Sequence, residues 1–148
     1  MVTVSCAWRE KMKFVAGSGG HEIEMDAKSP IGNDSAMTPK ELLLSGVSGC
    51  TAMDVVALLK KYQQIVEEFL IQADADLIEG SHPAMFSQIR LNFKLKGKID
   101  PEKAIEAVHL SQSKYCSVSA MISKVVPIYY TIEINGSQVG SGQADFNI

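Results

Sequence analysis

Residues 38–62 carry one long helical signal set between two stretches of strand-like alternation, and that placement limits the fold more than any other feature of the chain. Thr38 is a good N-cap, and Pro39 suits the first helical position because its missing amide hydrogen would find no partner there. Glu41 completes a Thr-x-x-Glu capping box, and the signal runs to about Tyr62. Leu42, Leu43, Leu44, Val47, Met53, Val55, Val56, Leu58 and Leu59 cover most of the circumference, which predicts a helix buried at the centre of the molecule. Ser45, Gly46, Ser48, Gly49 and Ala52 leave little side chain around Cys50, so another backbone or a substrate can approach closely there. The two glycines lower helix propensity at that point.

The segments on either side read mainly as strands. Val2, Val4, Cys6 and Trp8 alternate with less apolar neighbours, and a short segment from Met12 to Val15 leads into a Gly17-Ser18-Gly19-Gly20 turn and the segment His21 to Met25. Cys6 falls on the apolar side of this pattern, where packing accounts for it. Ser29 to Met37 has loop composition. Beyond the helix, Phe69, Ile71, Ala73, Ala75 and Leu77 alternate with polar residues, as do Ile89, Leu91, Phe93 and Leu95, across a loop with Gly80 and Pro83. Asp100 and Pro101 open a second helix with Ala104, Ile105, Val108 and Leu110 on one side, weakening near Ser111 to Lys114. A fresh helical start around Ser113 would set Cys116 in a first turn, where the helix dipole favours an anion. Val125 to Ile134 is the last firm strand, entered at Pro127 and followed by an Asn135-Gly136 turn; the tail from Ser137 is either loose or an extra strand. With neither repeat nor linker, residues 1–148 are expected to form a single α+β domain.

Composition narrows the function classes. A chain of 148 residues with 46% apolar and 21% charged residues can bury a proper core. A net charge of −3, with Lys and Arg scattered, offers no basic field for nucleic acid. The first residues lack a signal peptide, and no stretch is expected to be long enough to span a bilayer, so the expected location is the cytoplasm with no membrane partner. Three cysteines without Cys-x-x-Cys spacing, and isolated His21, His82 and His109, predict no metal. The glycine run at 17–20 joins no strand to a helix, so no nucleotide cofactor is expected.

That leaves Cys50 and Cys116, each inside a run of small residues. If the fold brings them together they form a redox pair, in which a sulfenic acid on one sulfur is trapped by the other before it over-oxidises. Two other readings stay open: a redox-sensing or small-molecule-binding protein, and an interaction domain with inert buried thiols. Glu41 is most economically a capping residue. Asp54, four residues after Cys50, is assigned a structural role, because a carboxylate there would raise the thiol pKa.

Thr38-Pro39-Lys40-Glu41-Leu42, with Gly49-Cys50 beyond it, and Lys114-Tyr115-Cys116-Ser117-Val118 ahead of an apolar segment, together resemble the OsmC/Ohr family of thiol-dependent hydroperoxide reductases. The resemblance covers nearly the whole chain. It implies an α+β OsmC-like fold with two central helices packed on curved antiparallel sheets, and an intertwined homodimer. It also implies that Cys50 is peroxidatic and Cys116 resolving, that the substrate is an organic hydroperoxide, and that a dithiol or lipoylated protein is the reductant. In the family's peroxidases an arginine from the first hairpin and a glutamate ten positions before the cysteine activate it. Here the hairpin turn has no arginine, Lys40 stands ten positions before Cys50, and the nearest substitutes are Arg9, Arg90 and Lys114, so the chain looks like the YhfA-type branch.

Overall fold

The computed structural model describes residues 1–148 and divides by compactness into two units, residues 1–44 and 45–148. The first unit is a three-stranded antiparallel sheet in the order β1 (Ser5–Glu10), β2 (Lys13–Ser18), β3 (His21–Met25), followed by a loop and the opening turn of helix α1 (Pro39–Lys61). Ser18 pairs with His21 across Gly19 and Gly20, whose φ angles of 58° and 83° are those of a tight hairpin turn that side chains disfavour. Every residue of β1 is exposed. Cys6 is therefore not packed in an apolar layer as its alternation suggested, because β1 is an edge strand with neither face covered.

The loop before α1 is built on Asp26. Its carboxylate accepts hydrogen bonds from the backbone amides of Ala27 (2.8 Å), Asn33 (3.3 Å) and Ser35 (3.1 Å) and from the Ser35 hydroxyl (2.7 Å). These donors, led by the Ser35 hydroxyl, hold the carboxyl below its usual pKa despite the opposing effect of burial. Gly32 packs so tightly here that a Cβ would stand 2.2 Å from the Ala27 carbonyl oxygen. Then comes the capping box. The Thr38 amide donates to Glu41 Oε2 at 2.7 Å, the Glu41 amide donates to Thr38 Oγ1 at 3.3 Å, and Lys28 Nζ reaches Glu41 Oε1 at 3.4 Å.

The second unit is a four-stranded sheet, β4 (Ile65–Leu77), β5 (Phe86–Lys98), β6 (Ile128–Ile134), β7 (Ser137–Gln143), with the rest of α1, α2 (Pro101–Leu110) and α3 (Ser117–Ile122). The expected antiparallel sheet contains one parallel pair, β5 with β6, since α2 and α3 return the chain to the same end of the sheet. That pairing sets Ile89, Leu91, Phe93 and Leu95 opposite Ile128, Tyr130, Ile132 and Ile134, all buried, on one face. Each large side chain so buried contributes roughly 1.5–3 kcal/mol. Phe93 stacks on Phe69 and meets Tyr130 edge-on, both at 6.3 Å between ring centroids. Asp100 caps α2 by accepting from the Glu102 amide at 3.0 Å, and Ala104, Ala107 and Val108 are its buried face. The tail becomes the extra strand β7, reached through Asn135 and Gly136 at positive φ.

Helix α1 departs from two expectations. Only Val47, Thr51, Val55 and Leu59 are buried, a single stripe at four-residue spacing, while Met53 is 75% exposed. One flank of the helix is covered rather than its whole circumference. By length and composition α1 is also apolar enough to cross a membrane, with a mean hydropathy of 1.8 over its best window, so the expectation that no stretch reaches that length is overturned. Interspersed Ser, Gly and Thr hide the run from a residue-by-residue reading without interrupting the helix.

Candidate active site

The buried stripe of α1 is interrupted by one polar residue, Thr51, and the chain beyond α2 is shaped to meet it. At Ser111–Tyr115 the helix widens into a single π-helical turn, closed by the Cys116 amide donating to the Ser111 carbonyl at 2.9 Å. Such turns displace side chains from α-helical register and recur at functional sites. Here Ser111 and Gln112 are both buried. The chain then turns extended at Cys116, with φ −70° and ψ 98°, before α3 begins at Ser117.

The result is a hydrogen-bonded polar chain inside the unit. Ser111 Oγ donates to Asp54 Oδ2 at 2.9 Å. Because that uses the hydroxyl's one proton, Thr51 Oγ1 is the donor in its 2.7 Å contact with Ser111 Oγ. Gln112 Nε2 donates to Thr51 Oγ1 at 2.9 Å and to Ser119 Oγ at 3.2 Å. The Ser119 amide in turn donates to Cys116 Sγ at 3.3 Å. Gln112 Oε1 is buried without a hydrogen-bond partner.

Around this network the Sγ atoms of Cys50 and Cys116 and a carboxylate oxygen of Asp54 lie within 4.8 Å of one another. Cys50 and Asp54 are one turn apart on the same face of α1, and both are half-buried; Cys116 is fully buried. The two candidate sulfurs are thus brought together from distant parts of the sequence. Cys116 does not behave as the dipole reading expected. Burial, with a lesser contribution from the neighbouring Cys50 thiol, pushes it up from 9.0 to about 11 against the lowering effect of Ser119. It caps a short helix from outside instead of sitting in its first turn, and desolvation outweighs the hydrogen bonds.

The remaining candidates have contacts of their own. Glu41 is held by its capping box and Lys28. Arg90 makes a bidentate pair with Asp76 on the neighbouring strand, and Lys114 sits over the Tyr115 ring at 5.4 Å. His109 is exposed on α2, and its carbonyl accepts from Ser113 Oγ. Asp54, Thr51, Ser111, Gln112 and Ser119 were missed as site residues. The available signal was Thr51 itself, a polar residue at the second position of the Val47, Val55, Leu59 stripe.

Residues 32–131 match the family profile of the OsmC-like proteins, and the chain belongs to that family. Within it the chain is of the YhfA type: it is 36% identical to Protein YhfA of Escherichia coli K12 over 129 residues, covering 86% of this chain and 93% of the relative. An OsmC-like protein from Mycoplasma pneumoniae superposes with a TM-score of 0.80 at 14% identity, over 90% of this chain and 96% of that one. An organic hydroperoxide resistance protein from Elizabethkingia anophelis superposes with a TM-score of 0.68 at 17% identity, over 91% and 96%. At those identities the two structures establish the shared α+β fold.

Proposed function

We propose that the protein reduces organic hydroperoxides with the Cys50 and Cys116 thiols, as part of oxidative-stress defence in the cytoplasm. The supporting observation is the meeting of these two sulfurs with unequal access: Cys50 is half-buried and open to attack a substrate, and Cys116 lies fully buried behind it. The Cys50 thiolate attacks the terminal peroxide oxygen, an S–O bond forms, the O–O bond breaks, and the alkoxide takes up a proton and leaves as an alcohol. Cys116 sulfur then attacks the Cys50 sulfenic acid, and the hydroxyl leaves as water with the proton that Cys116 gives up. A disulfide results, and an external dithiol, such as a lipoylated protein, returns it to two thiols by exchange. Kinship in fold with a hydroperoxide resistance protein is consistent with this chemistry. No other cofactor is required. The whole chain is proposed to work as one domain in a homodimer, a reading supported by apolar residues that a single copy leaves in water, among them Trp8 and Met53.

Reduced protein, freed of metal with a chelator, is mixed with cumene hydroperoxide and a dithiol while peroxide loss and free thiols are followed. Each peroxide turned over should consume one dithiol, the chain alone should lose two thiols when the dithiol is left out, and Cys50→Ser should fall to background. A Cys50→Ser variant indistinguishable from the wild type would reject the assignment.

One observation favours a second reading, a redox sensor with slow turnover. The charged group assembled beside the thiols is the Asp54 carboxylate, while Arg90 is committed to Asp76. Disulfide formation without sustained peroxide consumption would select it.

A further inference from the structure

We propose that, in the reduced protein, Cys50, Asp54 and Cys116 form a binding site for a thiophilic divalent cation, with Zn2+ as the fitting ion. The inference is independent of peroxide chemistry. No local motif announces such a site, because two donors come from one turn of α1 and the third from the start of α3.

The donor set is two sulfurs and one carboxylate oxygen, which suits a borderline-soft ion with no demand on geometry and is a poor match for Mg2+ or Ca2+. In a tetrahedral zinc site, bond lengths of about 2.3 Å to sulfur and 2.0–2.2 Å to oxygen put donors roughly 3.5–3.8 Å apart. The three atoms already lie within 4.8 Å of one another, so side-chain rotations on the order of 1 Å close the site. Binding exchanges two thiol protons for the metal. Three protein ligands leave a fourth position for water.

The surroundings are those of a prepared site. Ligands of bound metals are held by hydrogen bonds from outside the first layer. Here Ser111 Oγ donates to Asp54 Oδ2 at 2.9 Å, and the Ser119 amide donates to Cys116 Sγ at 3.3 Å, so two of the three donors are already oriented. Both contacts stabilise the charged form that a ligand must take. Ser111 and Ser119 are themselves buried and joined through Thr51 and Gln112, which holds α1 and the start of α3 in one frame. A metal there would also engage both sulfurs, so that bound zinc and a Cys50–Cys116 disulfide exclude each other.

The test uses the full chain, reduced and metal-free, with Cys6→Ser to remove the exposed third thiol. It is titrated with Zn2+ against a chromophoric chelator and with Co2+ without oxygen. A single equivalent per chain should bind, with Co2+ showing thiolate charge-transfer bands and the visible bands of a tetrahedral centre. Cys50→Ser should abolish binding, and Asp54→Asn should weaken it by more than about tenfold. Absence of binding by the parent protein, or affinity unchanged in either variant, would overturn the proposal. Should Asp54→Asn fail to fold, X-ray absorption of the zinc-loaded parent decides. Two sulfurs with oxygen neighbours support the site, and any other sulfur count rejects it. Because no peroxide enters these measurements and no metal enters the turnover assay, either reading can fail without the other.

Discussion

The Asp26 loop and the Gln112 network both bury polar groups where most buried residues are apolar, yet they are resolved differently. Asp26 takes four hydrogen bonds from three neighbouring residues, all close in sequence, and its carboxylate is stabilised. Gln112 spends both amide protons on residues far away in sequence or across a helix break and leaves its oxygen with none. Turning the amide over would move the deficit to nitrogen and set the oxygen against Thr51 Oγ1, whose one proton already goes to Ser111. A saturated buried group is a fold device; an unsaturated one, in the network that also holds Asp54 and Cys116, is a place where the fold forgoes stability.

Four changes would break or sharpen this contrast. The largest loss of stability is expected from Gly32→Ala, because the new Cβ would press on the Ala27 backbone and on Asp26 Oδ1 at 2.6 Å. A loss of about 3 kcal/mol or more in urea unfolding is expected, and a loss below about 1 would show that the loop yields. Next comes Thr51→Val, which keeps the shape of the side chain but leaves Gln112 Nε2 with one acceptor fewer and Ser111 without its donor. It should cost about 1–3 kcal/mol, measured the same way.

Gln112→Met removes the unsatisfied oxygen along with its partnered nitrogen, so its net effect should be smaller, below roughly 1.5 kcal/mol. A larger loss would mean that the two amide hydrogen bonds outweigh the orphaned atom. The smallest effect concerns pH. A carboxyl whose folded pKa is depressed adds stability above its unfolded pKa of 3.8 and loses it as pH falls through the folded value, and both Asp26 and Asp76, the latter held at about 2, act in this direction. Stability should therefore decline below about pH 4. Asp26→Asn should flatten part of that acid limb in denaturation curves taken at several pH values; an unchanged limb would show that the loop charge is not linked to folding.

Much of the frame was legible because its causes are local. The capping box at Thr38 and Glu41, the Asp100 cap, and the alternation of Ile89, Leu91, Phe93 and Leu95 each act within a few residues, and each stands as expected. What escaped depends on partners remote in sequence. Thr51 meets Ser111 and Gln112 through a π-helical turn that no periodicity announces, so polar residues that face inward there resemble an ordinary solvated end of a helix. Asp54 was read by its effect on a thiol, and the Ser111 hydroxyl that holds it was out of view. The same limit explains Cys6, since alternation identifies a face without saying whether anything covers it.

The amide of Asp145 donates to the carbonyl of Gln112 at 3.1 Å, while Ala144 and Phe146 are buried on either side. Residues 144–146 thereby act as a clasp on the widened turn from which Gln112 reaches inward. Trimming the chain after Gln143 would release the Gln112 carbonyl, so a stretch that looks expendable is fastened to the turn on which the buried polar network is built.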